Sequence, residues 1–141
     1  MVGYGVPLAR RSVISEFQGP YRFLSNFWIE PDGTCVEVEY QQSKTDPPSN
    51  FSGMTPGQAK RAGIRAKLRP DWNSIKVGIM IGLVRRKFSD HPSLAAKLIS
   101  TGSEQLIEGN RWGDRFWGVC GGSGLNKLGE ILMKVREEVS R

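Results

Sequence analysis

Apolar positions along this chain recur with a helical period over much of its length. Between Asp71 and Phe88 the residues Trp72, Ile75, Ile79, Leu83 and Phe88 form a stripe at near-helical spacing, which predicts a helix despite Gly78 and Gly82. Leu125, Leu128, Leu132, Val135 and Val139 repeat the pattern and predict a C-terminal helix. Asp90 is placed to cap a shorter helix containing Leu94, Leu98 and Ile99, which Thr101-Gly102 terminates. Thr55-Pro56 reads as an N-cap followed by proline in the first turn of another helix.

The first half of the chain is less regular. Val13–Phe17 and Arg22–Ile29 are rich in β-branched and aromatic residues and read as short extended segments. Pro31-Asp32-Gly33 supplies the dihedrals of a tight turn, after which Thr34–Val38 returns as a second strand. A helix begins nearby, because Glu37, Tyr40, Gln41 and Lys44 recur at three- and four-residue intervals, and Pro47-Pro48 ends it. Gln105–Glu108 and Arg115–Val119 are further strand segments. Residues 1–11 carry glycine, proline and two arginines without periodicity and read as a flexible segment. Residues 12–141 contain no repeat or linker. They predict a single α+β domain, mostly helical, with a small β-sheet.

Composition narrows the class. A chain of 141 residues is long enough to bury a core without disulfides or metal. Its 38% hydrophobic and 24% charged residues fit neither a disordered nor a membrane protein. No apolar run approaches the ~20 residues of a membrane span, and the N-terminus lacks an apolar signal core. Cys35 and Cys120 lack metal-ligand spacing and read as small packing residues, so a reducing cytoplasm is the simplest setting. The formal charge of +6 favours anionic partners. Much of it lies in Lys60, Arg61, Arg65, Lys67 and Arg69 and in Arg85, Arg86 and Lys87, where solvated helix faces are the ordinary reading.

Three constellations carry chemistry. Glu37, Tyr40 or Gln41, and Lys44 share one predicted helix face, with Glu37 and Lys44 ~10 Å apart along the axis, a separation suited to flanking a sugar. The run from Glu108 through Asn110, Trp112, Asp114 and Trp117 to Gly118 alternates carboxylates and aromatic rings with glycines. Rings stack on bases or sugars, carboxylates move protons, and glycine permits close approach. Gly121-Gly122-Ser123-Gly124 leads into a helix whose free amides could hold phosphate, although no Walker signature follows.

The order and spacing of these segments resemble the NADAR (YbiA-like) family from about Phe17 to Val139. Phe17 to Trp28, with its Leu24-Ser25-Asn26-Phe27 core, is similar to the family's opening signature. Glu37-Val38-Glu39-Tyr40-Gln41-Gln42-Ser43-Lys44 is similar to its Glu-His-x-aromatic-Gln-x-x-Lys helix. Arg69-Pro70-Asp71-Trp72 with Lys87-Phe88 resembles the middle motif. Glu108, Asp114, Trp117-Gly118, Gly124, Asn126, Leu128-Gly129 and Leu132-Met133 with Arg136 resemble the closing one. Val38 stands where many members have histidine, and the only histidine, His91, lies elsewhere and reads as structural; the retained acidic and lysine positions make the change a tolerated one.

The resemblance implies cleavage of a C–N bond between ribose and a base or amine, without a cofactor. Its substrates are either ADP-ribose on guanine, with nucleic acid as carrier, or ribose phosphates of riboflavin synthesis. It implies Lys44 as a nucleophile that forms a transient Schiff base, with Glu37 and Asp114 as the proton-transfer or charge-stabilising carboxylates. Glu108 would hold ribose hydroxyls or the groups behind them. Arg22, Ser25, Asn26, Tyr40, Gln41, Trp72, Trp112, Trp117, Gly118 and Asn126 are the expected substrate contacts, and no metal is expected. The contrasting reading is a module that binds ADP-ribose or nucleic acid without cleaving it.

Overall fold

The helix from Trp72 to Asp90 is the element on which the others assemble. It is α3 in a computed structural model that describes residues 12–141, so the segment expected to be flexible over 1–11 lies outside the described residues. Helices α1 (Val36–Gln42), α4 (Pro92–Ser100) and α5 (Lys127–Val139) all pack on α3, and α2 (Pro56–Arg65) packs on α1. Met80, Val84 and Phe88 of α3 meet Leu98 of α4 and Leu128, Leu132 and Val135 of α5 in the core. Among the described residues no helix is long and apolar enough to cross a membrane.

The long helices form where their apolar stripes predict them. Thr55 and Gln58 close a reciprocal capping box at the start of α2. Asp90, expected as the cap of α4, is instead the last residue of α3, and its carboxylate lies 3.6 Å from Arg86 one turn back. His91 occupies the junction, its carbonyl accepting the Leu94 N–H at 2.9 Å.

The short elements depart further. Arg22–Ile29 is not extended: Gly19–Leu24 winds into a 3-10 helix, with Pro20 preset for a first turn. The Tyr21 and Ser25 amides donate to Gln18 and Arg22 carbonyls at 3.0 Å, the i to i+3 pattern of that helix. The turn at Pro31-Asp32-Gly33 is present, with Gly33 at φ +88°, where a side chain would be strained. Thr34–Val38, however, is not a strand. Thr34 closes the turn by accepting the Glu30 N–H at 2.8 Å, and the chain enters α1 at Val36. α1 also stops earlier than expected, at Gln42, leaving Lys44 in the turn that follows with its N–H directed at the Gln41 carbonyl.

The sheet is two separate parallel ladders of two-residue strands. β1 (Val13–Ile14) pairs with β2 (Gln105–Leu106), and β3 (Gly109–Asn110) pairs with β4 (Val119–Cys120). Val13–Phe17, Gln105–Glu108 and Arg115–Val119 are therefore strands only in part. The carbonyls of Arg115, Phe116 and Trp117 are engaged by the start of α5 instead of by a neighbouring strand.

Two buried charged groups brace this frame. Glu30, 2% exposed, receives both Arg86 terminal nitrogens at 2.8 and 3.0 Å, and Arg86 also reaches Glu39 at 2.9 Å. Burial alone would raise the Glu30 pKa, but the bonds from Arg86 and Thr34 outweigh it and hold the carboxyl below its usual range. His91 joins the cluster, its Nε2 3.1 Å from Glu30. Lys87, also 2% exposed, donates to the carbonyls of Phe23 at 2.6 Å and Ser25 at 3.2 Å, pinning the end of the 3-10 helix to α3. Burial pushes its ammonium down to about 8. A neutral amine still has two N–H groups, one for each carbonyl.

Lys87→Met removes both donors at nearly constant volume and leaves the buried Phe23 carbonyl unsatisfied, at roughly 1–3 kcal/mol, while the Ser25 carbonyl keeps the Trp28 N–H at 3.1 Å. Denaturant unfolding is expected to show a loss of about 1–3 kcal/mol. The contribution has a definite pH sign. The unfolded lysine holds its proton to higher pH than the folded one, so wild-type stability from this group increases as pH rises from about 8 toward 10.5, an increase absent in the variant.

Candidate active site

A cavity of about 470 Å³ opens between α1, α2, the 3-10 helix with its following loop, and the segment from Glu108 to Trp117. The volume falls within the roughly 300–1,000 Å³ of ordinary small-molecule sites. α1 contributes Glu37, Tyr40 and Gln41, and the turn after it contributes Lys44. Arg22, Ser25 and Asn26 come from the 3-10 helix and the loop behind it. Glu108, Trp112, Asp114 and Trp117 form the opposite wall.

Three expected contacts stand behind that lining. Trp72 is buried and tilts against Tyr40 at a ring separation of 5.2 Å, so it backs the wall. Gly118 is buried where a Cβ would run into the carbonyl and carboxyl of Glu108 and the amide of Asn110. Asn126, held at a left-handed φ of 54°, accepts the Glu108 N–H at 2.9 Å and donates to the Leu106 carbonyl at 3.0 Å. It acts as a bracket for Glu108.

The wall opposite α1 is fixed by a dense local network. The Asn110 side chain donates to the Asp114 carbonyl at 2.8 Å and accepts the Asp114 N–H at 3.0 Å. The Asp114 carboxylate accepts the amides of Phe116 and Trp117 at 3.0 and 2.9 Å, which turns the chain back toward α5. The carbonyls of Gly118, Phe116 and Trp117 then receive the N–H groups of Asn126, Lys127 and Leu128, so the first amides of α5 are already occupied. The Gly122-Ser123-Gly124 loop lies outside the cavity, its Ser123 hydroxyl accepting from Arg115 at 3.0 Å. It does not form the phosphate cradle suggested by its composition.

Burial shifts the acids and the lysine in opposite directions. Glu37 is 8% exposed, and burial raises its pKa against the opposing bond from Gln41, 2.6 Å away, and the charges of Lys60 and Lys44. Glu108 is pushed up to about 7, first by burial and further by the Asp114 charge, against the lowering bond from Asn110. The Lys44 ammonium is lowered by burial and by neighbouring Lys60 and Lys76, with Glu37 pulling the other way. Such opposed displacement in one cleft is the pattern of acid–base and nucleophilic sites. Near neutral pH it favours a protonated Glu108 and enlarges the neutral fraction of Lys44.

The family model of the NADAR domain matches residues 15–140. The chain belongs to the NADAR family. It is 37% identical over 139 residues to an N-glycosidase of Nostoc punctiforme, covering 85% of this chain and 86% of that protein. A riboflavin biosynthesis protein of Vibrio vulnificus is 37% identical over 130 residues, but the chain spans only 35% of its length. N-glycosidase YbiA of Escherichia coli is 39% identical over 74 residues, covering 52% of this chain and 46% of that one. The solution structure of Escherichia coli YbiA superposes with a TM-score of 0.74 at 31% identity, covering 92% of this chain and 86% of that one. The fold is therefore the YbiA fold, a single domain of helices and small sheets.

Within this NADAR fold, Val38 is not among the residues that line the cavity, whereas Glu37, Tyr40 and Gln41 are. Lys60, Phe27, Trp28 and Gln18 also line the cavity and were missed as site residues. Phe27 and Trp28 sat inside the opening signature, where their order offered a signal. Lys60 sat in a basic run whose ordinary reading concealed it.

Gly118→Ala places a methyl against Glu108 and Asn110 and forces the wall to shift. Overpacking of this kind costs roughly 1–3 kcal/mol. The expected outcome is a folded NADAR domain of lowered Tm whose ligand affinity falls; an unchanged Tm and affinity would show that the wall yields freely.

Proposed function

We propose that this chain is an N-glycosidase that removes ADP-ribose from guanine, as a nucleoside or within nucleic acid, through a Schiff base on Lys44. The observation that carries the reading is the convergence of Lys44, Glu37, Glu108 and Asp114 on one partly desolvated cavity. The names of the Nostoc and Escherichia relatives support the reaction class. Nucleic acid enters as the carrier of the substrate, and the net charge of +6 accords with a polyanion.

The chemistry follows from the positions. The neutral Lys44 amine attacks C1′ as the C1′–N bond breaks, and the pair from that bond passes to the leaving nitrogen, which takes the Glu108 proton. Glu37 or Asp114 receives the proton lost from Nζ, and their negative charge stabilises the positive charge that develops at C1′. Ring opening returns a proton to O4′ and leaves a C1′=Nζ Schiff base. Water then adds to C1′, expels the lysine amine and frees the sugar.

A second substrate reading, a phosphorylated intermediate of riboflavin synthesis, is favoured by the name of the Vibrio relative. The same four groups serve it, since the reacting bond is of the same type. A binding module that only holds ADP-ribose has no use for a half-buried lysine in one cavity with the buried Glu37, because burial of such groups is costly.

Trapping distinguishes these. With borohydride present, ADP-ribosylated guanosine oligonucleotide is expected to leave a sugar adduct on Lys44, read by peptide mass spectrometry, and pyrimidine ribose phosphates are expected to leave less. Base release by Lys44→Ala at the parent rate would remove Lys44 from the mechanism. Turnover of no riboside at all would favour the binding module.

The acid assignment has its own signature in kcat/KM. A reaction needing protonated Glu108 and neutral Lys44 gives a bell-shaped pH profile. Glu108→Gln is expected to lower the rate by about 10²–10⁴-fold and to leave a curve that only rises with pH as Lys44 loses its proton. A variant that keeps the bell would place the acid elsewhere.

A further inference from the structure

Gln41 is held from two sides. It is 4% exposed, and its Nε2 donates to Glu37 Oε2 at 2.6 Å. Its Oε1 lies against Gly63 of α2, where a Cβ would collide with it. Among the described residues Gln41 Oε1 and Arg86 Nε are the two buried side-chain polar atoms without a hydrogen-bond partner. Buried polar atoms are rarely left in that state, and Gln41 leaves one so while lining the cavity. Reversing the amide would set its oxygen against the Glu37 carboxylate, so an ionised Glu37 fixes which end of the amide faces Gly63. Glu37 Oε1 makes no hydrogen bond among the described residues and is not one of the buried unpartnered atoms, so it stands open to the cavity. Asp114, in contrast, commits its Oδ1 to the Phe116 and Trp117 amides.

We propose that Gln41, wedged against Gly63, is a positioning residue that keeps Glu37 ionised and aims its Oε1 at the reacting ribose. This rests on the glycosidase reading. As the C1′–Nζ bond forms and the bond from C1′ to the base breaks, Oε1 accepts the proton that Lys44 Nζ loses, and Glu108 protonates the leaving nitrogen. The groups whose charge acts on Glu37 are Lys60 from α2, Lys44 from the turn after α1, Asp114 and Glu108 from the opposite wall, and the Cys35 thiol. Burial raises the Glu37 pKa, and the Gln41 bond is the largest influence against that rise, ahead of Lys60 and Lys44. Without the bond Glu37 holds its proton to higher pH and cannot take the one from Nζ. Gly63 acts through Gln41, since any side chain there displaces the amide.

Two variants break the contact in different ways. Gln41→Met removes the donor at similar length, and Gly63→Ala displaces the amide while keeping it. Carboxyl 13C NMR of glutamate-labelled protein, assigned with Glu37→Gln, is expected to show Glu37 titrating at higher pH in both variants than in the parent. Base release from ADP-ribosylated guanosine oligonucleotide is expected to fall about tenfold below neutral pH, as a displacement of one pH unit gives, and to recover as pH rises. Thermal unfolding verifies that each variant is folded, and either folded variant suffices. An unmoved Glu37 titration overturns the proposal, as does a loss of rate equal at every pH, the mark of a merely packing role. A displaced Glu37 titration with no base release from any riboside, by the parent or the variants, upholds the grip on Glu37 and defeats the glycosidase reading. Base release by the parent with an unmoved Glu37 does the reverse.

Discussion

Burial of a carboxyl beside a half-buried amine in one cavity is the constraint to which the rest of this structure answers. Glu37 could not be held there alone, since an isolated buried carboxylate is far less stable than a solvated one. Gln41, one turn along α1, supplies the hydrogen bond at 2.6 Å, and Lys44 and Lys60 supply positive charge. Gln41 in turn fits only because α2 presents Gly63, where a Cβ would collide with its amide. The close approach of α1 and α2 is thus a condition of the site. Desolvation disfavours the charged form of either group, raising acids and lowering amines. It therefore moves carboxyl and lysine toward a common pH range in which protons can pass between them.

The opposite wall solves a different problem, that of holding Glu108 and Asp114 still without regular secondary structure around them. Asn110 and Asp114 clasp each other's backbone, and Asp114 caps the amides of Phe116 and Trp117. The carbonyls that follow satisfy the opening amides of α5, whose remaining face is anchored in the core by Leu128, Leu132 and Val135. Asn126 then ties the Glu108 amide to the Leu106 carbonyl. A loop saturated in this way behaves as part of the scaffold, which is what a preorganised site requires.

The helices were legible because each buries a continuous apolar stripe, and periodicity reports such stripes directly. The strands were not. Ladders of two residues are too short to alternate, and residues 115–117 spend their carbonyls on α5. The 3-10 helix was hidden because Tyr21, Phe23 and Phe27 carry the aromatic content of a strand while Pro20 sets a turn. Glu37, Lys44, Glu108 and Asp114 stand out in the motifs, and all four line one cavity. Trp72, Gly118 and Asn126 belong to the same motifs yet serve the wall from behind. Sequence order alone does not separate a residue that lines a cavity from one that shapes its lining.

Net charge illustrates the same limit from the other side. Arg85 is committed to Glu138, Arg86 to Glu30 and Glu39, Arg69 to Asp71, and Lys87 to two backbone carbonyls. These four of the twenty lysines and arginines are therefore engaged within the fold. What carries information is where cations stand without acidic partners, and among the described residues Arg22, Lys44 and Lys60 do so around one cavity.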